Sequence, residues 1–115
     1  MATYEEIVST EALEEVLKSS GEQPVLFFKH SSTCGISSRA FGEFQQYLQS
    51  PESARVRNYL IVVQKAREVS SELARVVGVE HESPQAIFVR DGRAVWNDSH
   101  MAIKSMALVE AVRRN

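Results

Sequence analysis

The chain is poor in features that mark several common classes of protein. Its 115 residues include one cysteine, three prolines and one tryptophan. A single cysteine cannot form a disulfide within the chain, which fits a reducing cytoplasm. No apolar run approaches the ~20 residues of a membrane-spanning helix, and residues 1–9 lack the basic start and apolar stretch of a signal peptide. We therefore expect a cytoplasmic protein that makes no membrane contact.

Charge and ligand motifs are equally sparse. The net charge is −2, with 13 basic and 15 acidic residues and no long run of either sign, so no electrostatic footprint for nucleic acid is present. The three histidines and the cysteine lack zinc-ligand spacing, and no phosphate-binding glycine motif occurs. We predict no bound metal or cofactor, and one domain spanning residues 1–115.

The order of apolar runs and turn signals predicts an α/β fold. Strand–helix–strand units favour parallel pairing through right-handed crossovers, and Asp91-Gly92 predicts a final hairpin. Together they describe a thioredoxin-like fold with a mixed sheet of four to five strands and helices on both faces. The predicted strands are Tyr4–Ser9, Val25–His30, Tyr59–Val63, Ala86–Arg90 and Arg93–Asn97, and the predicted helices are Thr10–Ser20, Cys34–Gln49, Ala66–Val77 and Met101–Arg114.

Cys34 lies where the first buried strand passes into a helix. Free backbone N–H groups and the positive end of the helix dipole favour a thiolate there, so its pKa should fall below the usual value of about 8.5. A small buried hydrophobic role is the alternative. The polar residues 31–33 before it, and Gly35 after it, favour a reactive thiol at the surface.

Ser37 stands three residues after Cys34, one helical turn along. A dithiol oxidoreductase of the Cys-x-x-Cys type carries its second thiol at that position, and serine cannot close such a disulfide. The second sulfur should therefore come from another molecule. A simpler role, in which Ser37 only solvates the helix start, is compatible with this.

Ser83-Pro84 stands just before a predicted strand. In a thioredoxin-like fold this loop passes beside the cysteine. We hypothesise a cis bond between the two residues, which would present the Ser83 backbone to an extended substrate. The alternative is an ordinary trans proline that opens a strand.

Lys29 and His30 end the first buried strand, close to Cys34 in sequence. Either side chain could stabilise a thiolate or meet an anionic group of the substrate. Both could equally be solvated residues at the end of a strand.

Several blocks of the sequence, in order along nearly the whole chain, resemble the monothiol bacilliredoxins of the bacillithiol system. The blocks are Phe28-Lys29-His30-Ser31, Thr33-Cys34, Ile36-Ser37, Val63-Gln64-Lys65-Ala66-Arg67, Ser83-Pro84-Gln85-Ala86, Arg90-Asp91-Gly92 and Trp96 with Ser99-His100.

The resemblance implies an enzyme, a thiol–disulfide oxidoreductase that reduces mixed disulfides between client proteins and bacillithiol. Cys34 would attack the bacillithiol sulfur and free the client thiol, and a second thiol would restore Cys34. Bacillithiol is then a co-substrate, and its malate group could meet Lys29, Arg39 or the backbone near Ser83. The expected substrate-binding residues are Thr33, Gly35, Ser37, Ser83, Pro84, Lys29 and His30.

Gly35 departs from the family pattern, which usually reads Thr-Cys-Pro-Ile-Ser. Proline is pre-organised for the first helical turn and lacks an N–H. Glycine adds a donor near the sulfur and loosens the turn.

The departure also brings Cys34-Gly35-Ile36-Ser37 within one residue of the Cys-Gly-Phe-Ser signature of monothiol glutaredoxins. That alternative is a carrier of a [2Fe–2S] cluster shared between two chains. Against it, the chain lacks a Gly-Gly-x-Asp element after the hairpin. A third reading is a binding module that keeps the thioredoxin fold without its chemistry.

Overall fold

A computed structural model describes residues 2–33 and 35–115. Five strands and four α-helices alternate in the order β1-α1-β2-α2-β3-α3-β4-β5-α4. The strands are β1 (Tyr4–Glu6), β2 (Val25–His30), β3 (Arg57–Val62), β4 (Gln85–Arg90) and β5 (Arg93–Ser99), and the helices are α1 (Thr10–Ser19), α2 (Gly35–Tyr47), α3 (Arg67–Val77) and α4 (Ser105–Arg114). Short 3₁₀ helices cover Pro51–Arg55 and His100–Ala102.

The sheet is mixed, as the sequence predicts. Its strand order is β1-β3-β2-β4-β5. The first three strands in that order run parallel, whereas β4 pairs antiparallel with both β2 and β5. The parallel strands are joined by helical crossovers, and the last two strands by the predicted hairpin. The thioredoxin-like fold class is confirmed.

The turn signals act where glycine's freedom is needed. Asp91 and Gly92 have φ angles of 53° and 71°, the left-handed pair that a tight two-residue hairpin requires. Gly78 ends α3 with φ 71°, so the C-terminal glycine is also placed as predicted. Local chemistry therefore sets both chain reversals.

Two apolar layers cover the two faces of the sheet. Side chains alternate along β2, so Leu26 and Phe28 pack with α2 and α4, while Val25 and Phe27 pack with α1 and α3. The continuous apolar run of this strand reflects burial on both faces. The alternation also decides where the next two residues of the strand point.

Two helix starts differ from the prediction. Ser9, not Thr10, is the N-cap of α1, because its side chain accepts the N–H of Ala12. The last helix begins at Ser105 rather than Met101, and the Ser105 N–H donates to Glu43 Oε1 at 2.8 Å. A carboxylate on α2 thus caps α4.

Candidate active site

Three segments meet at the edge of the sheet where β2 ends. The β2–β4 register closes with the Lys29–Gln85 pair, so the residues after Lys29 run beside those before Gln85. On the other flank, the His100 N–H donates to the Pro84 carbonyl at 3.0 Å. The candidate site therefore lies where three segments come together. They are the end of β2, the Ser83–Pro84 loop and the start of the His100–Ala102 3₁₀ helix. Cys34 itself lies outside the described residues.

The Ser83–Pro84 peptide bond is cis, which confirms the hypothesis drawn from the sequence. Pro84 is buried and Ser83 is half-buried. Among the described residues, the Ser83 hydroxyl is the buried side-chain polar atom that lacks a hydrogen-bond partner. A buried hydroxyl without a partner loses its hydration uncompensated, so this placement has a desolvation cost.

Gln64, just after β3, organises the loop that precedes Cys34. Its Oε1 accepts the Ser32 N–H at 3.1 Å, and its Nε2 donates to Ser31 Oγ at 2.7 Å and to Thr33 Oγ1 at 3.2 Å. Gln64 is not among the residues predicted from the sequence to form the site. Its place in the sequence, just after β3, could have predicted this role. Because β2 and β3 are parallel neighbours, their carboxyl ends meet at one edge of the sheet.

Ser37 is fully buried in the first turns of α2. Its Oγ accepts the Ser31 N–H at 2.8 Å and lies 3.2 Å from His30 Nδ1. Ser37 is therefore enclosed at the start of the helix and does not face solvent. Ser37 fastens the loop to the helix and joins both to the end of β2.

His30 points to the α2 face and is half-buried. Its ring lies 5.0 Å from the Phe41 ring and 6.2 Å from the Phe28 ring, centroid to centroid. Burial lowers the His30 pKa, and a hydrogen bond to Ser37 acts in the opposite direction. His30 is therefore neutral near pH 7, so it can offer a hydrogen bond but not a full positive charge.

Lys29 points to the opposite face and is fully buried. Its amine donates to the Ser70 carbonyl at 3.1 Å and lies 3.2 Å from His81 Nδ1. The prediction that Lys29 contacts the substrate does not agree with this placement, because the pleat of β2 directs its side chain under α3. The two neighbours at the end of the strand thus serve different faces.

The remaining predicted residues lie at the surface. Thr33, Gly35 and Arg39 are exposed. Arg39 Nη1 lies 3.5 Å from Met101 Sδ, which places the guanidinium beside the 3₁₀ helix. Arg39 is therefore a cation available to a ligand at this site.

No cluster of three or more His, Asp or Glu side chains suited to a metal is found in residues 2–33 and 35–115. Across the same ranges, none of the helices has the length and hydropathy needed to cross a membrane.

The chain is similar to solved proteins that have a thioredoxin fold. One solved structure, assigned as an oxidoreductase with a thioredoxin fold, is 34% identical to this chain, with 91% of each chain covered and a TM-score of 0.76. Thioredoxins from Malassezia sympodialis and Fasciola hepatica share the fold at 18% and 16% identity, with TM-scores of 0.78 and 0.75. The alignments cover 99% and 96% of this chain and 91% and 97% of theirs.

The family model for the monothiol bacilliredoxin BrxC matches residues 5–108. The chain therefore belongs to the monothiol bacilliredoxin family, and it is a thiol–disulfide oxidoreductase.

Proposed function

We propose that this protein reduces mixed disulfides between bacillithiol and client proteins, with Cys34 as the nucleophile. The family match over residues 5–108 carries the proposal. The cysteine content agrees with it, because Cys34 is the chain's single sulfur able to enter a disulfide. A one-cysteine enzyme needs a thiol from outside to complete its cycle.

The exchange takes place in two balanced steps. The Cys34 thiolate attacks the bacillithiol sulfur, the client sulfur leaves as a thiolate and takes a proton, and a Cys34–bacillithiol disulfide remains. The thiolate of a second bacillithiol then attacks the bacillithiol sulfur of that disulfide. Bacillithiol disulfide leaves, and the Cys34 thiolate is restored. The client thiol is restored, and one free bacillithiol is oxidised, forming a disulfide with the bacillithiol that the client had carried.

The loop before Cys34 supports an accessible nucleophile. Thr33 and Gly35 on either side of the cysteine are exposed, and beyond its chain neighbours and the backbone of its own helix an added Cβ at Gly35 would meet no described atom within 4 Å. An incoming sulfur needs such space to approach in line with the disulfide. Ser37 cannot form a disulfide, and its hydroxyl is committed to the loop.

Substrate contacts are proposed on both sides of the thiol. The Ser83 backbone would bind the main chain beside the disulfide. Arg39 would meet the carboxylates of the malate group, because its guanidinium is exposed and matches carboxylate geometry. His30 would contribute a neutral ring at the end of β2.

The test uses purified wild-type and Cys34→Ser proteins. Each is mixed with a client protein that carries bacillithiol on one cysteine, together with free bacillithiol. Mass spectrometry should show a +bacillithiol adduct on the wild-type enzyme and loss of the adduct from the client. Cys34→Ser should release the client thiol no faster than free bacillithiol does without enzyme, because a hydroxyl does not attack a disulfide.

Two results would refute the proposal. One is release at equal rates by both proteins. The other is a wild-type enzyme that alkylates readily at Cys34 but never takes bacillithiol from the client. A brown preparation with visible absorption would instead support the cluster-carrier alternative.

A further inference from the structure

The chain buries a lysine that the proposed exchange reaction does not use. Lys29 is 0% exposed, and burial lowers its pKa to about 8. Among the described residues no carboxylate forms an ion pair with it. A methionine would fill similar space without desolvating an amine. Packing alone therefore does not account for a lysine at this position.

The partners of the amine belong to two other elements. Ser70 lies on α3, and its carbonyl accepts one hydrogen of the amine at 3.1 Å. His81 lies in the loop after α3, and its Nδ1 is 3.2 Å from the amine and 3.0 Å from Ser70 Oγ. A protonated Lys29 makes Nδ1 an acceptor and leaves the ring hydrogen on Nε2. One amine thus joins β2, α3 and the loop.

That loop leads directly to the cis peptide bond. His81 precedes Ser83 by two residues, so a displacement of His81 would shift the Ser83 backbone. A second clamp lies beside the first. Gln85, the cross-strand neighbour of Lys29, donates to the Glu80 carbonyl at 2.9 Å and accepts the Glu82 N–H at 3.4 Å.

We propose that Lys29 is a positioning residue, which with Ser70 and His81 holds residues 80–83 in the geometry that presents the Ser83 backbone to a disulfide substrate. The inference rests on the proposed function in one respect, that this loop contacts the substrate. Lys29 touches no reacting atom in this role. It acts through His81, and its effect should therefore fall on substrate binding rather than on the reactivity of the thiol.

The variants are chosen to separate positioning from folding. Lys29→Met removes the amine at similar volume, and Lys18→Met on the exposed side of α1 is the matched control. His81→Leu removes the acceptor from the loop side without touching the core. His81→Asn keeps an acceptor, because Asn Oδ1 lies close to the position of His Nδ1.

Two measurements are made on each folded variant. The first is amide hydrogen exchange of peptides covering residues 79–84 against peptides from β2 and β3. The second is KM and kcat with a peptide that carries bacillithiol on a cysteine, alongside the rate of Cys34 alkylation by iodoacetamide. The amide hydrogen exchange measurement needs no substrate. Failure of the proposed function would appear in the wild type, whereas failure of this inference appears between variants.

We expect Lys29→Met and His81→Leu to raise exchange in residues 79–84 roughly tenfold and to raise KM by a similar factor. Alkylation of Cys34 and protection of the strands should stay within about twofold of wild type. His81→Asn and Lys18→Met should behave like wild type.

The inference would be overturned if Lys29→Met and His81→Leu lost amide protection equally in the strands and in residues 79–84. Unchanged amide hydrogen exchange in residues 79–84 would overturn it too. A fall in kcat with unchanged KM would do so as well. If Lys29→Met fails to fold, His81→Leu against His81→Asn decides the same question.

Discussion

Two serine–histidine pairs lie on opposite faces of the sheet, and their surroundings differ. On the α2 face, Ser37 Oγ lies 3.2 Å from His30 Nδ1, beside the aromatic ring of Phe41. On the α3 face, Ser70 Oγ lies 3.0 Å from His81 Nδ1, beside a buried amine. The first pair fastens the loop that precedes Cys34 in the sequence. The second fastens the loop that carries the cis proline. Similar chemistry thus fixes the two sides of the candidate site.

The comparison predicts unequal costs for removing the two serine hydroxyls. Ser37→Ala should lower the free energy of unfolding by about 1–3 kcal/mol, because the buried Oγ accepts the Ser31 N–H and no other group replaces it. Ser70→Ala should lose roughly 0.5–1.5 kcal/mol, because Lys29 still reaches His81. Urea denaturation measures both values.

Ser71→Ala, at an exposed position on the same helix as Ser70, is the control and should change little. A larger loss for Ser70→Ala than for Ser37→Ala would reverse the ranking of the two pairs.

Gln64→Glu should sharpen the assignment of the α2 face to the thiol. The substitution keeps an acceptor for the Ser32 N–H but places a negative charge beside Thr33, one residue from Cys34. A nearby anion disfavours the thiolate, so alkylation of Cys34 at pH 7 should slow roughly twofold to fivefold. The pH profile of iodoacetamide alkylation, with its midpoint moved to higher pH, is the measurement. Gln46→Glu, on α2 away from this loop, is the control, and an unmoved midpoint in Gln64→Glu would contradict the expectation.

The free energy of unfolding should fall in acid because of His30 and His81. Burial lowers the pKa of His30 and of His81, and Lys29 adds to the effect on His81 while Glu82 opposes it. The folded state therefore binds fewer protons than the unfolded chain once the pH falls below about 6.5. Stability should be fully present above that pH and decline below it.

Urea midpoints between pH 7.5 and pH 5 measure this decline. His81→Asn should make it shallower, because one of the two groups is gone. A slope unchanged by that substitution would show that His81 does not take part.

Gly35→Pro is the smallest expected effect and concerns the α2 side alone. Gly35 begins α2 outside the left-handed region, and beyond its chain neighbours and the backbone of its own helix no described atom lies within 4 Å of an added Cβ. Proline at the first helical turn should therefore raise the free energy of unfolding by about 0.5–1 kcal/mol, mainly by restricting the unfolded chain. Thermal denaturation of Gly35→Pro and wild type checks it. Gly42→Pro, inside the same helix, should instead destabilise the protein. A destabilised Gly35→Pro would show that the backbone there needs glycine.

Local sequence patterns determined most of the secondary structure and the turns of this protein. The order of strands and helices, the Asp91–Gly92 hairpin and the end of α3 at Gly78 all follow from spacing and residue type. These features depend on interactions between residues close in sequence, which is the information that a local pattern contains. The cis bond at Ser83–Pro84 was predicted only after the fold class had been inferred.

The tertiary structure alone decided which groups meet. The amine of Lys29 finds His81 across 52 positions, and the Ser105 N–H finds Glu43 across 62. The pleat of β2 directs Lys29 and His30 to opposite faces of the sheet. Only the packing of the helices shows that the α3 face encloses Lys29, whereas the α2 face beside His30 borders the candidate site. Such contacts depend on how the layers stack, because burial and charge at one residue are set by distant parts of the chain.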